Sequence, residues 1–427
     1  MLAAALIACG RAGGQTASLT SPSPQTFAAA SPSTAPSAPP ESPTPSAAGP
    51  SLASGSRVAC APPSAVPSRS PSPSPAGSIE ALSVVDASGR VTIHLITITG
   101  GATTDRLLMA NQDVRVMDAN RRIALIAICQ STQLATLDLN TGAIRLFDVS
   151  SPEDISWGVL NPDGSKAAVL VRLAGFVEYD FRIVDLSSGA SGVLLHLPPN
   201  VYNSAGLIPL RWTSSGILVG PGAWDCARYK LLTLDPQSAH LTPITDVRVD
   251  AVSPDGTMMA AAGHADLGDV GNYGQCGWTN LITRGPVGGP YSLIAEQRNR
   301  AFWVIDVAND GSVLYGADDG FSAAQSQASG SRVTTPPAPD AGVYLETGGS
   351  SIQQLPESGT GQWWTAGKLV GQGQALMAQQ VIGGDSGVVE VDLVSLCTSH
   401  SGCTPSVQPV ERDSGSYPTA ALILLRS

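Results

Sequence analysis

The chain is short of positive charge, aromatic rings, histidine and long apolar runs, and each shortage closes off a class of function. Lysine occurs only at Lys166, Lys230 and Lys368, and 34 acidic residues against 23 basic ones leave a net charge of −11 over 427 residues. Such a surface offers a polyphosphate no counterion release, which all but excludes nucleic-acid binding. No stretch approaches the roughly 18 apolar residues of a membrane-spanning helix, which excludes a polytopic membrane protein. The five histidines are scattered and no cysteine pair has Cys-x-x-Cys spacing, which argues against zinc. Neither His-Glu-x-x-His, Gly-x-x-x-x-Gly-Lys nor Gly-x-Ser-x-Gly occurs.

What is present is unevenly spread. Fifteen of the 33 prolines precede residue 79, whereas only one acidic residue, Glu41, does. Residues 1–9 hold a short apolar stretch ending in Leu6-Ile7-Ala8-Cys9-Gly10, which resembles a bacterial lipoprotein signal with Cys9 as the lipidated residue. No basic residue precedes the stretch, so it reads as a truncated signal. Residues 10–78 are a Ser/Pro/Ala-rich linker, for example Ser70-Pro71-Ser72-Pro73-Ser74-Pro75. They carry too little apolar surface to offset ordering, so they read as a disordered tether. At ~3.1 Å per residue it would reach on the order of 200 Å, enough for a stalk across a cell wall. Its Ser/Thr-Pro steps also permit O-glycosylation.

From residue 79 to 427 the text repeats. One unit is an apolar strand, a tight polar turn and a second apolar strand. Its clearest copies are Leu160-Asn161-Pro162-Asp163-Gly164 and Val252-Ser253-Pro254-Asp255-Gly256. Looser copies run Met117–Arg121, Trp212–Gly216, Val307–Gly311 and Leu369–Gly373. These turn residues adopt backbone angles that others resist, so each copy predicts a hairpin. A second unit ends a strand on a carboxylate and a turn, as in Leu137-Asp138-Leu139-Asn140-Thr141-Gly142 and Val184-Asp185-Leu186-Ser187-Ser188-Gly189. Variants begin at Leu234-Asp235, Leu345-Glu346 and Val391-Asp392-Leu393. Two hairpins per repeat mean four antiparallel strands every 40–60 residues or so, the mark of a propeller blade. Six copies are visible. A seventh forms if the closing apolar strand Ala420–Leu425 joins the strands after Ile79, which removes two orphan edges. The expectation is an all-β propeller of seven four-stranded blades, with six and eight as alternatives. The Ser-Pro-Asp-Gly turn after an apolar position resembles the TolB-like and related WD-repeat-like propellers of bacterial envelopes. That resemblance covers residues 110–395 and implies a binding scaffold with loops around a central channel, without a single activity.

Setting Cys9 aside leaves Cys60, Cys129, Cys226, Cys276, Cys397 and Cys403. An even number in an exported chain reads as three disulfides, and six cysteines allow 15 connectivities. The repeat alignment favours Cys226 with Cys276, Cys397 with Cys403, and Cys60 with Cys129.

Groups suited to chemistry are few. Gly384-Asp385-Ser386-Gly387 resembles a serine-protease nucleophile turn, but Val388-Val389 follow and the repeat register makes it a hairpin. Asp266, Asp269 and Asn272 could give oxygen ligands to Ca²⁺, yet they lack the EF-hand order. A solvated loop is the better reading, and no cofactor or metal is expected. Trp157, Trp212, Trp303 and Trp364 share a strand position and read as blade packing. Trp224, Tyr273 and Trp278, with Asp266 and Asp269, sit in or beside long loops and form the candidate ligand surface. The sequence therefore points to a monomeric, lipid-anchored, extracytoplasmic binding or scaffolding module, not an enzyme, for an envelope protein or polysaccharide. The alternatives are a propeller lyase or glycan hydrolase with its site at the channel mouth, and a sensor domain for an envelope partner.

Overall fold

The computed structural model describes residues 78–425 except 88–89, 112–113, 150–153, 174–177, 199–206, 222–230, 246–248, 263–280, 297–299, 320–341, 348–350, 357–362, 372, 384–385, 397–404 and 416–418. All described residues fall in one unit. Cys9, in the expected signal segment, and Cys60, in the expected linker, lie outside them.

Twenty-eight strands form seven four-stranded antiparallel sheets. Chain order opens with β1 (Ile79–Ala87), β2 (Arg90–Thr99) and β3 (Ala102–Asn111). Blade 1 follows as β4 (Val114–Ala119), β5 (Ile123–Ile128), β6 (Gln133–Asp138) and β7 (Ile144–Phe147). Blade 2 is β8 (Asp154–Leu160), β9 (Lys166–Arg172), β10 (Tyr179–Asp185) and β11 (Ser191–Leu197). Blade 3 is β12 (Leu207–Thr213), β13 (Gly216–Pro221), β14 (Leu231–Leu234) and β15 (Leu241–Thr245). Blade 4 is β16 (Ala251–Val252), β17 (Met258–Ala262), β18 (Leu281–Pro286) and β19 (Ser292–Glu296). Blade 5 is β20 (Arg300–Val307), β21 (Val313–Asp319), β22 (Gly342–Thr347) and β23 (Ser351–Gln354). Blade 6 is β24 (Trp363–Gly371), β25 (Gln374–Gly383), β26 (Ser386–Ser395) and β27 (Ser406–Gly415). The last strand, β28 (Thr419–Leu424), pairs with β1, giving the order β28-β1-β2-β3 in the seventh, closing blade. The seven-bladed propeller and its closure by the final strand are thus as the repeats predict.

The second strand of each blade reads as a continuous apolar run because neighbouring blades cover both of its faces. In β5, Ala124, Ile126 and Ile128 point to the closing blade's side, while Leu125 and Ala127 point to blade 2. Seven such interfaces close the ring. They are anchored in turn by Leu82 with Ile126, Leu125 with Val169, and Phe181 with Trp212. Leu218 with Met259, Ile282 with Phe302, Leu345 with Met377, and Ile96 with Leu376 complete the circle. Fourth strands are the exposed outer edges, as in the burial of β7, β15 and β19.

The turns show why their residues recur. Gly164 has φ 72°, and a Cβ there would sit 2.2 Å from Asn120 Nδ2 of blade 1. The carboxylate of Asp138 accepts the N–H groups of Asn140 (2.9 Å) and Thr141 (2.7 Å), and Asp185 and Asp235 repeat the pattern. In Asp185 these bonds, led by the Ser187 hydroxyl, hold the carboxyl well below the usual range. Arginine joins blade to blade at the same turns: Arg145 on β7 donates to the carbonyls of Leu186 and Ser187, both at 2.7 Å.

Three details differ from the sequence reading. Val391-Asp392-Leu393 lies inside β26, so Asp392 caps no turn. Met117–Arg121 is offset by two residues: Asp118 and Ala119 still belong to β4, and the turn starts at Asn120, whose N–H bonds Ile123 O at 3.0 Å. The four tryptophans occupy first strands but not one register. Trp157 follows the bulge in β8, Trp303 precedes the one in β20, and Trp212 lies near the end of β12. Packing is still what Trp157 and Trp212 do, both in the interface between blades 2 and 3.

The offset matters because Asp118 and Asp306 become equivalent, each the last residue but one of a first strand. Asp118 Oδ2 accepts the N–H of Leu160 in the next blade at 2.8 Å, and Asp306 Oδ2 accepts that of Leu369 at 2.9 Å. Both aspartates are buried, at 6% and 3% exposure. Each carboxylate staples its blade to the following one.

Candidate functional site

Strand order divides the connections between two rims. Links from first to second and from third to fourth strands emerge on one rim; links from second to third strands, and between blades, emerge on the other. On the first rim the turns after β8, β12 and β16 are tight. The long links 222–230, 263–280 and 320–341 all join second to third strands. Long loops on a rigid scaffold are where recognition concentrates. Trp224, Asp266, Asp269, Tyr273 and Trp278 belong to these links and lie outside the described residues, as do Cys226, Cys276, Cys397 and Cys403. Cys129, directly after β5 on the same rim, is disulfide-bonded, and every other cysteine lies outside the described residues. Gly384-Asp385 joins β25 to β26, so the segment resembling a nucleophile turn is a hairpin.

On this rim a cleft of about 470 Å³ opens between blade 6 and the closing blade. Ala87 and Arg90, on either side of the β1–β2 turn, line it together with Asp413 and Ser414 at the end of β27. His94 of β2, also in the lining, stands between two carboxylates. Its Nδ1 is 2.9 Å from Asp105 Oδ1, and its Nε2 is 3.3 Å from Glu411 Oε1. Thr92 Oγ1 donates to Asp413 Oδ2 at 3.4 Å. Burial works against the imidazolium, but the Asp105 bond and the charges of Glu411, Asp105 and Asp413 outweigh it and raise the His94 pKa. Burial raises Glu411, and His94 and Ser83 pull it back in part. The carboxyl of Glu411 is only 4% exposed, and neither oxygen has a partner in hydrogen-bonding geometry. Ser83 Oγ is likewise buried and short of that geometry. This constellation escaped the sequence reading because its halves are more than 300 residues apart. The readable trace was a lone histidine in the apolar run Ile93-His94-Leu95.

A second polar group lies inside blade 6. Gln379 donates to Asp392 at 3.2 Å, and Arg412 pairs with Glu390 at 3.2 Å. Burial, with help from Glu390, pushes Asp392 up to about 6. A raised carboxyl takes up its proton more readily in the folded state, so stability falls as pH rises from about 4 to about 6 and stays lower above that. Asp392→Asn should therefore stabilise the protein at pH 7 by on the order of 1–2 kcal/mol and flatten urea midpoints across that window. A variant no more stable than the parent at pH 7 would sink this account. Among the described residues, no group of three or more His, Cys, Asp or Glu side chains is placed to hold a metal ion. No helix among them is long and apolar enough to cross a membrane.

No protein-family model and no curated protein matches the chain. Solved structures do. The β-propeller domain of the Trilobed protease from Pyrococcus furiosus aligns over 78% of this chain and 84% of its own, at 11% identity and TM-score 0.43. TolB from Acinetobacter baumannii aligns over 56% of this chain and 61% of its own, at 10% identity and TM-score 0.39. An oligogalacturonate lyase from Vibrio parahaemolyticus covers 67% of this chain and 82% of its own, at 12% identity and TM-score 0.43. The propeller assignment itself rests on the sheet topology.

Proposed function

We propose that this propeller is an extracytoplasmic binding or scaffolding module, held to the membrane through Cys9 and the tether, that engages an envelope protein or polysaccharide. The observation that carries the proposal is the asymmetry of the ring. The strand ends joined by links 222–230, 263–280 and 320–341 lie on one rim, and the cleft beside His94 opens onto the same rim. The tight Asp163 and Asp255 turns occupy the other rim, where the one comparably long link is 396–405.

The test uses the full chain, isolated from a membrane fraction and immobilised, with purified cell-wall polysaccharide and detergent-extracted envelope proteins as separate probes. Trp224→Ala combined with Tyr273→Ala should weaken the captured probe about tenfold, or ~1.4 kcal/mol. Asp163→Ala and Asp255→Ala should leave it unchanged in folded protein. The reverse pattern would place recognition on the other rim, and capture of neither probe would remove the proposal. Recovery of the chain in the soluble fraction, with Cys9 unmodified, would remove the anchor.

A further inference from the structure

The first strands and the last strands of the chain meet along one seam, where β1, β2 and β3 face β27 and β28. Backbone pairing holds its inner part, because β28 is hydrogen-bonded along β1 from Asp86 to Ala81. Towards the outer edge the seam depends on side chains: His94 with Glu411, Thr92 with Asp413, and Gln408 Nε2 donating to Thr103 Oγ1 at 3.1 Å. The histidine is the unusual member. Both of its ring nitrogens face carboxylate oxygens, one on its own blade and one on blade 6. A neutral imidazole carries one N–H and can serve only one of them, leaving a lone pair against the other. Imidazolium donates to Asp105 and sets its positive charge beside Glu411.

We propose that His94 is a proton-controlled clasp that joins the two ends of the chain along this seam, so that the walls of the cleft it lines are held together in mild acid and loosen as the proton is lost. The inference stands apart from what the rim binds. The charged groups around the clasp agree with it. Asp105 on β3, and Glu411 and Asp413 on β27, all favour the cation. Arg412, 70% exposed, is paired with Glu390, and Arg90 is exposed, so neither arginine replaces the imidazolium between the two carboxylates. When His94 is neutral, Glu411 is left buried near Asp105 and Asp413 with no cation between them. The signs concur: His94 is raised, so its contribution is complete below the unfolded value near 6.5 and is lost as pH rises through the folded value. Glu411 is also raised, and its burial likewise becomes less favourable as pH rises.

Two measurements on the full chain test the clasp. Hydrogen exchange, corrected for intrinsic rates, should show amides of β2 and β27 losing about tenfold in protection between about pH 5.5 and about pH 8.5, while those of β8 and β9 hold steady. In His94→Gln that loss should vanish, with β2 and β27 as open in acid as in base. In Glu411→Gln, which removes the buried charge, protection at the alkaline end should exceed that of the parent. Proton NMR should find one of the five histidines, assigned by its absence in His94→Gln, titrating above the ordinary value near 6.5. Seam amides whose protection does not change with pH in the parent chain would overturn the proposal. So would a His94 that titrates at or below the ordinary value, and the exchange result on the parent chain needs no variant.

Discussion

Deleting residues 419–427 should leave a chain that no longer forms a stable monomer. The segment contains β28, the inner strand of the closing blade. Leu422 is buried against Ile96 and Leu376, Leu425 against the core that holds Leu82 and Ile126, and Ile423 and Leu424 pack beside them. At roughly 1.5–3 kcal/mol for each buried large side chain, and about half that for the partly buried Ile423 and Leu424, these residues contribute on the order of 5–9 kcal/mol. That is comparable to the whole stability of an ordinary domain, about 5–15 kcal/mol. The deletion also strips β1 of its partner from Ala81 to Asp86, creating a long apolar edge that pairs readily with another chain. Size-exclusion chromatography with light scattering should find aggregates or strand-exchanged oligomers. A synthetic peptide of residues 419–427, added in excess during refolding, should restore monomer. A truncated chain that stays monomeric and unfolds at the parental midpoint would refute closure as a source of stability.

The second large effect belongs to the aspartate staples. Asp118 accepts two backbone N–H groups, Leu160 across the interface and its own neighbour Ala119 at 2.9 Å, from a nearly fully buried position. Bonds to a charged acceptor are worth about 1.5–3 kcal/mol each, and their loss strands buried donors. Asp118→Ala should cost about 3 kcal/mol and Asp118→Asn, which keeps one acceptor oxygen, about half as much. Asp306→Ala should behave alike. Lys368, whose Nζ lies 2.6 Å from Asp306 Oδ1, is 29% exposed, so Lys368→Met should cost less than about 1 kcal/mol. Denaturant midpoints read all four. Equal costs for Lys368→Met and Asp306→Ala would mean that the ion pair, not the staple, is what matters.

Blade number and ring closure were legible because turns obey local rules. Asp138, Asp185 and Gly164 are fixed by backbone geometry within a few residues of themselves, so their types recur wherever the geometry does. Asp118 shows the limit. Beside Asn120 and Arg121 it reads as one more turn aspartate, yet its carboxylate is committed to Leu160, 42 residues on, across a blade interface. Asp392 misleads in the opposite way, because its apolar-carboxylate-apolar context matches the turn-closing unit while β26 runs straight through it. His94 and Glu411 were out of reach for a simpler reason. Which strands of the first and last blades stand side by side is settled only when the ring closes, and no local pattern records it. The loops carrying Trp224 and Tyr273 were singled out by length and composition, which identify a place for recognition and not its partner.

The order β28-β1-β2-β3 also decides how the ring carries a load. A pull arriving through the residues before Ile79 falls on β1, which is hydrogen-bonded on both sides, to β28 from Ala81 to Asp86 and to β2 from Ile79 to Ala87. Two ladders must break before that strand moves. A pull on the residues after Leu424 falls on β28, bonded along one side alone. Tension from the N-terminal side therefore enters the ring at a strand gripped from both sides, while the side after Leu424 is the one that peels.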